Sequence, residues 1–370
     1  MEPMRTTSKK DKGKLGWKEM LLSLFLIVVV WAGQQLFAGN SGMDSGDTPG
    51  STVSLVQVYF TTPRYPDTAS YHYGGLDEKL ASAIDIAEKS VDVAAYDFDL
   101  ARVADALVRA HQRGIAVRVV AETDYEDELG PQRLLKAKVP MVFDERGPFM
   151  HNKYIVIDGR YVWTGSWNFT DNGTYRNNNN VVIVDSKALA ENYTTEFEEM
   201  FLDKQFGVTS PDNTPNARVN VSGVKIDTIF ESEGNARDII VKLVQDAQIS
   251  VNFMAFVFTD DDIARAVINR HRAGVPVRGV VEARNLTTTG SNYETMRQAG
   301  VEALSDGNPY IMHHKVIIID EAIVVTGSYN FTNSAANSND ENVLIIHSPE
   351  VAAMYMAEFE RVYVQAKEAK

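Results

Sequence analysis

The strongest constraint on what this chain can fold into is that much of it is written twice. Ala104-Asp-Ala-Leu-Val-Arg-Ala-His-Gln-Arg-Gly114, followed by Ile115 to Val120, returns 160 residues later as Ala264-Arg-Ala-Val-Ile-Asn-Arg-His-Arg-Ala-Gly274, followed by Val275 to Val280. Met150-His-Asn-Lys-Tyr-Ile-Val-Ile-Asp158 returns at an offset of 162 as Met312-His-His-Lys-Val-Ile-Ile-Ile-Asp320. A period this long implies two duplicated domains rather than a solenoid of short repeats. With 370 residues, 44% of them hydrophobic, each copy has enough apolar material to bury its own core.

Each copy alternates between strand and helix patterns. In the first, strand-like Leu55 to Phe60 and Val91 to Phe98 flank a helical stretch from Leu76 to Lys89. A second helix, Leu100 to Arg113, stops at Gly114, and Gly274 ends its twin; glycine suits the residue just past a helix end because it takes positive φ freely. β-branched runs at Tyr154 to Ile157, Tyr161 to Thr164 and Val181 to Val184 then precede an amphipathic helix from Leu189 to Phe201. The pattern predicts α/β architecture, two sandwiches around mixed sheets. A stretch rich in Pro, Asn, Thr and Ser at 207–223 reads as the linker between domain 1, 53–206, and domain 2, 224–370.

The amino-terminal region has a different character. Basic residues at 5, 9, 10, 12, 14 and 18 mark a cytoplasmic tail, 1–19, ahead of an apolar segment, 20–38, and a Gly/Ser/Asp-rich tether, 39–52. The basic flank predicts export of everything after the apolar segment, which stays as a membrane anchor or is cleaved as a signal. The chain contains no cysteine, which excludes disulfides, thiolate catalysis and cysteine-ligated metals.

The repeated His-x-Lys element carries the chemistry. At a strand period of two, His151 and Lys153 share a face with Ile155 and Ile157, so an imidazole and an ammonium project together and can meet one phosphate. His313 and Lys315 do the same in the second copy. Asp158 and Asp320 sit an odd number of residues from the lysines and at the strand end, which favours structural support over chemistry. After six further residues each copy has a glycine-serine turn, Gly165-Ser-Trp-Asn-Phe-Thr170 and Gly327-Ser-Tyr-Asn-Phe-Thr332. Ser166, Asn168, Ser328 and Asn330 are therefore candidate phosphate-binding donors, and with the two lysines they could neutralise charge on a pentacoordinate phosphorus without a metal or other cofactor.

Both copies fit H-x-K-x4-D-x6-G-S-x-x-N in full, and the chain resembles the phospholipase D superfamily from about Leu55 onward. The resemblance implies a pseudo-twofold site between two α/β/α sandwich domains. There one histidine attacks phosphorus to form a phosphohistidine, and the other protonates the leaving alcohol and then activates water. It also implies a monomer that is an intramolecular pseudo-dimer.

One position breaks the symmetry. Glu341 lies 21 residues after Asp320, where the family often places a carboxylate that holds the motif histidine; the equivalent in copy one is Asn179. A carboxylate on a histidine Nδ1 proton stabilises the imidazolium, whereas an amide only orients the ring. This predicts that His313, backed by Glu341, is the nucleophile and His151 the general acid and base. His111 and His271, near helix C-termini, suit the helix dipole and are set aside. His314 occupies a variable position and should point away from the site.

The signature specifies a phosphodiester but not its substituents. A formal charge of −14 offers no general attraction to polyanions, so phospholipid is the first expectation and nucleic acid the second. Headgroup exchange, as in cardiolipin formation, is the third. A non-catalytic module binding anionic polymers is the alternative from another class.

Overall fold

The computed structural model describes residues 55–369, and the tail, apolar segment and tether expected at 1–52 lie outside them. Among the described residues no helix is long and apolar enough to cross a membrane. Both copies fall within one compact unit.

Copy one supplies strands β1 (Val56–Phe60), β2 (Ser90–Ala95), β3 (Ala116–Ala121), β4 (Met141–Phe143), β5 (Lys153–Ile157), β6 (Tyr161–Gly165), β7 (Asn177–Asn178) and β8 (Asn180–Asp185). Seven of them form a sheet in the order β1-β8-β6-β5-β2-β3-β4, parallel across β2, β3 and β4 and antiparallel elsewhere. Copy two supplies β9 (Arg218–Val221), β10 (Val224–Phe230), β11 (Val251–Ala255), β12 (Val277–Val281), β13 (Glu302–Ser305), β14 (Ile311–Met312), β15 (Lys315–Ile319), β16 (Ile323–Gly327) and β17 (Asn342–His347). Its eight-stranded sheet, β13-β12-β11-β15-β16-β17-β10-β9, repeats the first arrangement and adds β9 at one edge. β9 falls inside the stretch read as linker. Val219 and Val221 are buried while Arg218 and Asn220 are exposed, the period-two alternation that pairs this segment with β10.

Helices cover both faces of each sheet, the duplicated α/β/α sandwich. Outside the first sheet lie α1 (Leu76–Asp85) and α2 (Ala101–Gln112), whose apolar faces pack on Ile155, Ile157 and Trp163. On the inner side, α3 (Lys187–Glu198) begins where Ser186 Oγ accepts from the Leu189 amide at 3.2 Å, an N-cap that satisfies one orphan donor. In copy two, α4 (Ala236–Asp246) and α5 (Asp261–Arg272) form the outer layer. Ser348 caps α6 (Pro349–Glu368) as Ser186 caps α3. Gly114 and Gly274 follow α2 and α5 at φ +88° and +89°, the left-handed turn expected of glycine at a helix end.

The inner helices join the copies. Tyr154, Tyr193 and Phe197 from copy one and Phe230, Ile318, Tyr355 and Phe359 from copy two belong to one buried cluster between the two sheets. Alternation along β5 and β15 sends Tyr154, Val156, Val316 and Ile318 into this shared core. Ile155, Ile157, Ile317 and Ile319 point to the separate outer cores. Because the central core belongs to both copies, neither can lose it alone. Replacing fully buried Phe197 with alanine should cost about 3–5 kcal/mol. Chemical denaturation of that variant should remain a single transition seen equally by probes in both copies; two separated transitions would contradict the shared core.

Candidate active site

The parallel strands β2 and β11 both end at one crevice, where open α/β sheets place their sites. Antiparallel β5 and β15 start there. Thus His151, just before β5, meets His313, just before β15, in a single cleft of about 540 Å³, while Lys153 and Lys315 lie buried behind them, each ammonium donating to the carbonyl of its own histidine, at 2.6 and 2.9 Å.

The approach to each histidine is paired with the other copy. β14 runs parallel to β7, with Ile311 opposite Asn177 and Met312 opposite Asn178, and the His313 amide donates to the Asn178 carbonyl at 2.9 Å. In the mirror arrangement Met150 bridges Asp340, and the His151 amide donates to the Asp340 carbonyl at 3.0 Å. The residue following each of these contacts is therefore delivered beneath the opposite histidine. Glu341 accepts from His151 Nδ1 at 2.8 Å, and Asn179 Oδ1 lies 3.0 Å from His313 Nδ1. The expected pairing of Glu341 with His313 is thus corrected: the support crosses the pseudo-twofold axis, because the loop carrying it pairs with the partner copy's strand rather than its own.

These contacts fix both tautomers. The Asn179 amide is oriented by donation from its Nδ2 to the Gly173 carbonyl at 2.9 Å and by the Ser166 hydroxyl donating to Oδ1 at 2.9 Å. Its Oδ1, like the Ser166 carbonyl 3.0 Å from His313 Nδ1, can only accept from the ring. Each Nδ1 therefore carries the proton, which leaves Nε2 as the reactive nitrogen.

Ser166 and Ser328 occupy a different place from the one expected. Both are fully buried behind the histidines, where Ser328 Oγ donates to Glu341 at 2.6 Å and each hydroxyl accepts a backbone amide, from Asn180 and Asn342 respectively. The turn pins them inward because the preceding glycine has no room for a side chain. A Cβ at Gly165 would lie 2.2 Å from the Asn180 carbonyl oxygen, and one at Gly327 would lie 2.1 Å from that of Asn342. Asn168 and Asn330 do line the cleft, each with a buried Oδ1 that has no protein partner.

Asp158 and Asp320 lie away from the cleft lining and bind backbone. Both adopt positive φ at the end of their strand, +58° and +52°. Asp158 accepts from the amides of Glu88, Lys89 and Ser90, and Asp320 from those of Gln248, Ile249 and Ser250. They tie the turn before β2 or β11 to the motif strand. His314, as expected, points away, buried between the Asn180 amide at 3.1 Å and Glu358 at 3.0 Å.

Several contributors were not singled out from sequence. Tyr96 and Phe256 stand edge-on to His151 and His313, at centroid distances of 4.5 and 4.6 Å, and lie under the Lys153 and Lys315 ammonium groups. Glu122 and Glu282 accept from the amides of Met150 and Met312, both at 2.7 Å, and so anchor the strand entering each histidine. Their signal was available: the matched segments ending at Val120 and Val280 continue to a carboxylate two residues later in both copies.

Burial outweighs the neighbouring charges in setting protonation at the site. Burial, then the two lysines, holds both histidines well below the ordinary imidazole range. Burial lowers Lys153 to about 7 and pushes Lys315 well below its usual value, while Glu341 is raised to about 7. An anion supplied beside the lysines would raise the lysines and histidines again and would raise Glu341 further. Among the described residues no group of three or more His, Cys, Asp or Glu is placed to hold a metal ion.

Comparison with known proteins agrees with this geometry. The family profile described as "Cardiolipin synthase, PLD-like domain" matches residues 80–201 and 240–363. Human mitochondrial cardiolipin hydrolase is 36% identical over 124 residues, 34% of this chain and 49% of that protein. A phospholipase D from Rickettsia prowazekii is 32% identical over 163 residues, 44% of this chain and 80% of that protein. The phosphatidylserine synthase of Haemophilus influenzae superposes with a TM-score of 0.61 over 84% of this chain and 86% of that one; at 14% identity this is a likeness of fold. The chain belongs to the phospholipase D-like family, and its alignment spans about half the length of the cardiolipin hydrolases it matches.

The shifted lysines make anion binding depend on pH. Occupation by sulfate, a dianion throughout the range, must raise the Lys153 pKa from its free value of about 7, so binding takes up protons above that pH. Titration calorimetry should therefore find the tightest sulfate binding below pH 7 and weakening by up to about tenfold per unit above it. Affinity that is flat between pH 6 and 9 would contradict a lysine lowered by burial.

Proposed function

We propose that this protein is a phospholipase D-type phosphodiesterase that hydrolyses phospholipids through a phosphohistidine, within one site built from both copies. The observation that carries the reading is the crossed support of two Nδ1-protonated histidines in one cleft, with a buried lysine behind each. The relatives named phospholipase D and cardiolipin hydrolase support the lipid class.

Because Glu341 holds His151, the nucleophile's role passes to His151. Its Nε2 lone pair attacks phosphorus, and Glu341 stabilises the positive ring that results. As the phosphorus–oxygen bond to the headgroup breaks, the bonding pair stays on that oxygen, which takes a proton from His313. Substrate charge is what raises His313 enough to carry that proton. In the second half His313 accepts a proton from water, the water oxygen bonds to phosphorus, and the phosphorus–nitrogen pair returns to His151. Lys153 and Lys315 offset the charge on the equatorial oxygens, with the amides of Asn168 and Asn330 positioned at the cleft wall. The chemistry so written uses no metal.

On this reading the folded unit lies outside the cytoplasm, held by the apolar segment at 20–38 or released if that segment is cleaved. It acts as a monomer because one chain completes the site. The charge pattern at 1–38 supports that location, and recovery of full-length protein as a cytosolic species would contradict it.

Full-length protein in detergent with EDTA should release headgroups from phospholipid micelles and leave single- and double-stranded DNA intact. His151→Ala and His313→Ala should each lower turnover by at least about a thousandfold. Degraded DNA beside untouched lipid would contradict the substrate class, and complete loss on chelation would contradict the metal-free mechanism.

A further inference from the structure

The backbone exchange beneath the two histidines is fastened twice, once from each copy. In copy one the fastener is Arg146. Its Nη1 donates to the Ser338 carbonyl at 3.2 Å, its Nη2 donates to the Phe149 carbonyl at 3.3 Å, and Nη2 also pairs with the Asp340 carboxylate. The residue 162 positions later is Asn308. Its Nδ2 donates to the Arg176 carbonyl at 3.0 Å, to the Ile311 carbonyl at 3.1 Å and to the Asn178 side-chain oxygen at 2.7 Å. Under the same offset Ser338, Phe149 and Asp340 correspond to Arg176, Ile311 and Asn178. Two chemically different side chains thus take matching acceptors, two of them on the opposite copy in each case.

Each fastener ends one residue short of a group that supports a histidine. Asp340 precedes Glu341, which holds His151, and Asn178 precedes Asn179, which holds His313. Neither Arg146 nor Asn308 lines the cleft, so neither is placed to touch substrate. On the Arg146 side the path to the histidine is stiffened further. Asn339 accepts from the Phe149 amide at 3.2 Å, and its Nδ2 donates at 3.2 Å to the Glu341 oxygen that does not face His151. The interdomain chain closes over this side, where the Gly207 amide donates to Asp340 and the Phe206 ring lies 5.6 Å from the guanidinium. Asp340 is wholly buried, so its charge depends on the guanidinium beside it. A charged fork therefore holds the carboxylate-supported histidine, and a neutral amide holds the amide-supported one.

We propose that Arg146 and Asn308 are positioning residues, each drawing the support of its own copy's histidine across from the other copy. Arg146 acts on His151 through Asp340 and Glu341, and Asn308 acts on His313 through Asn178 and Asn179. Giving each a separate step rests on the phosphohistidine reading, in which His151 attacks and His313 activates water; the fastening itself does not.

Rapid mixing of the full-length protein with saturating bis(p-nitrophenyl) phosphate separates the two. Nitrophenolate departs without an acid, so the initial burst reports attack on phosphorus and the later steady rate reports hydrolysis of the intermediate. Arg146→Met should slow the burst by about a hundredfold, the effect of misplacing a reacting group by about an ångström. Asn308→Ala should keep the burst and lower the steady rate by a similar factor. Arg146→Met also leaves Asp340 buried without its guanidinium, so Arg146→Met/Asp340→Asn separates position from stability. Asp144, 3.6 Å from the guanidinium, keeps the Thr123 amide and hydroxyl as partners in both. The double variant should regain most of the thermal stability lost in the single one and still show the slow burst. If it regains both, the ion pair is merely structural and the proposal is overturned; unchanged burst and steady rates in Arg146→Met and Asn308→Ala overturn it as well. If Arg146→Met slows only the steady rate and Asn308→Ala the burst, the positioning stands and the nucleophile assignment fails. If turnover falls in both variants while the unsubstituted protein yields no phosphoenzyme, the positioning stands and the phosphohistidine reading fails.

Discussion

Everything at this site depends on a short exchange of backbone across the pseudo-twofold axis. The pairing of β14 with β7, and its counterpart between Met150 and Asp340, moves the polar residue after each glycine-serine turn under the histidine of the other copy. Without that exchange His151 would lose its carboxylate and His313 its amide. Beneath it, Thr164 and Tyr193 of copy one donate to the Asn342 amide oxygen, and Thr326 and Tyr355 of copy two donate to that of Asn180. These buried bonds extend the exchange into the shared core. Position and catalysis are therefore set by one interface, and the copies are halves of a single machine.

The exchange also explains how an acidic protein can hold a phosphodiester. The chain carries a formal charge of −14, but two ammonium groups are buried behind the cleft, and Glu341, which offsets them, is already committed to a histidine and a serine. Burial makes those cations costly unless an anion arrives. The free energy of completing the site is thus tied to substrate, and charge that would be screened at the surface acts at full effect inside. Local charge decides binding here, and net charge decides only what is drawn to the surface.

Much of this was legible in the sequence, and the failures have physical causes. Strand periodicity placed His151, Lys153 and their twins on one face, and the repeat announced two sandwiches of the same topology. The offset of 21 residues to Glu341 and Asn179 located the supporting residues but could not say which histidine each would meet, because spacing along one copy carries no information about exchange between copies. Ser166 and Ser328 look like phosphate donors from residue type and turn context alone; the close approach of the Asn180 and Asn342 carbonyls to Gly165 and Gly327 turns them inward. The β9 strand was hidden by its Pro- and Asn-rich neighbours, although Val219 and Val221 kept a strand's alternation.

Crossing gives His151 the carboxylate, and with it the nucleophile's role. That assignment can be tested by rapid acid-free quenching of the enzyme during turnover of a phosphorus-labelled phosphodiester with a nitrophenolate leaving group, which departs without needing an acid, followed by peptide mapping of the acid-labile label. In a His313→Ala background, where hydrolysis of the intermediate should stall, near-stoichiometric phosphate is expected on His151. Label on His313 in the unsubstituted enzyme, with none on His151, would contradict it.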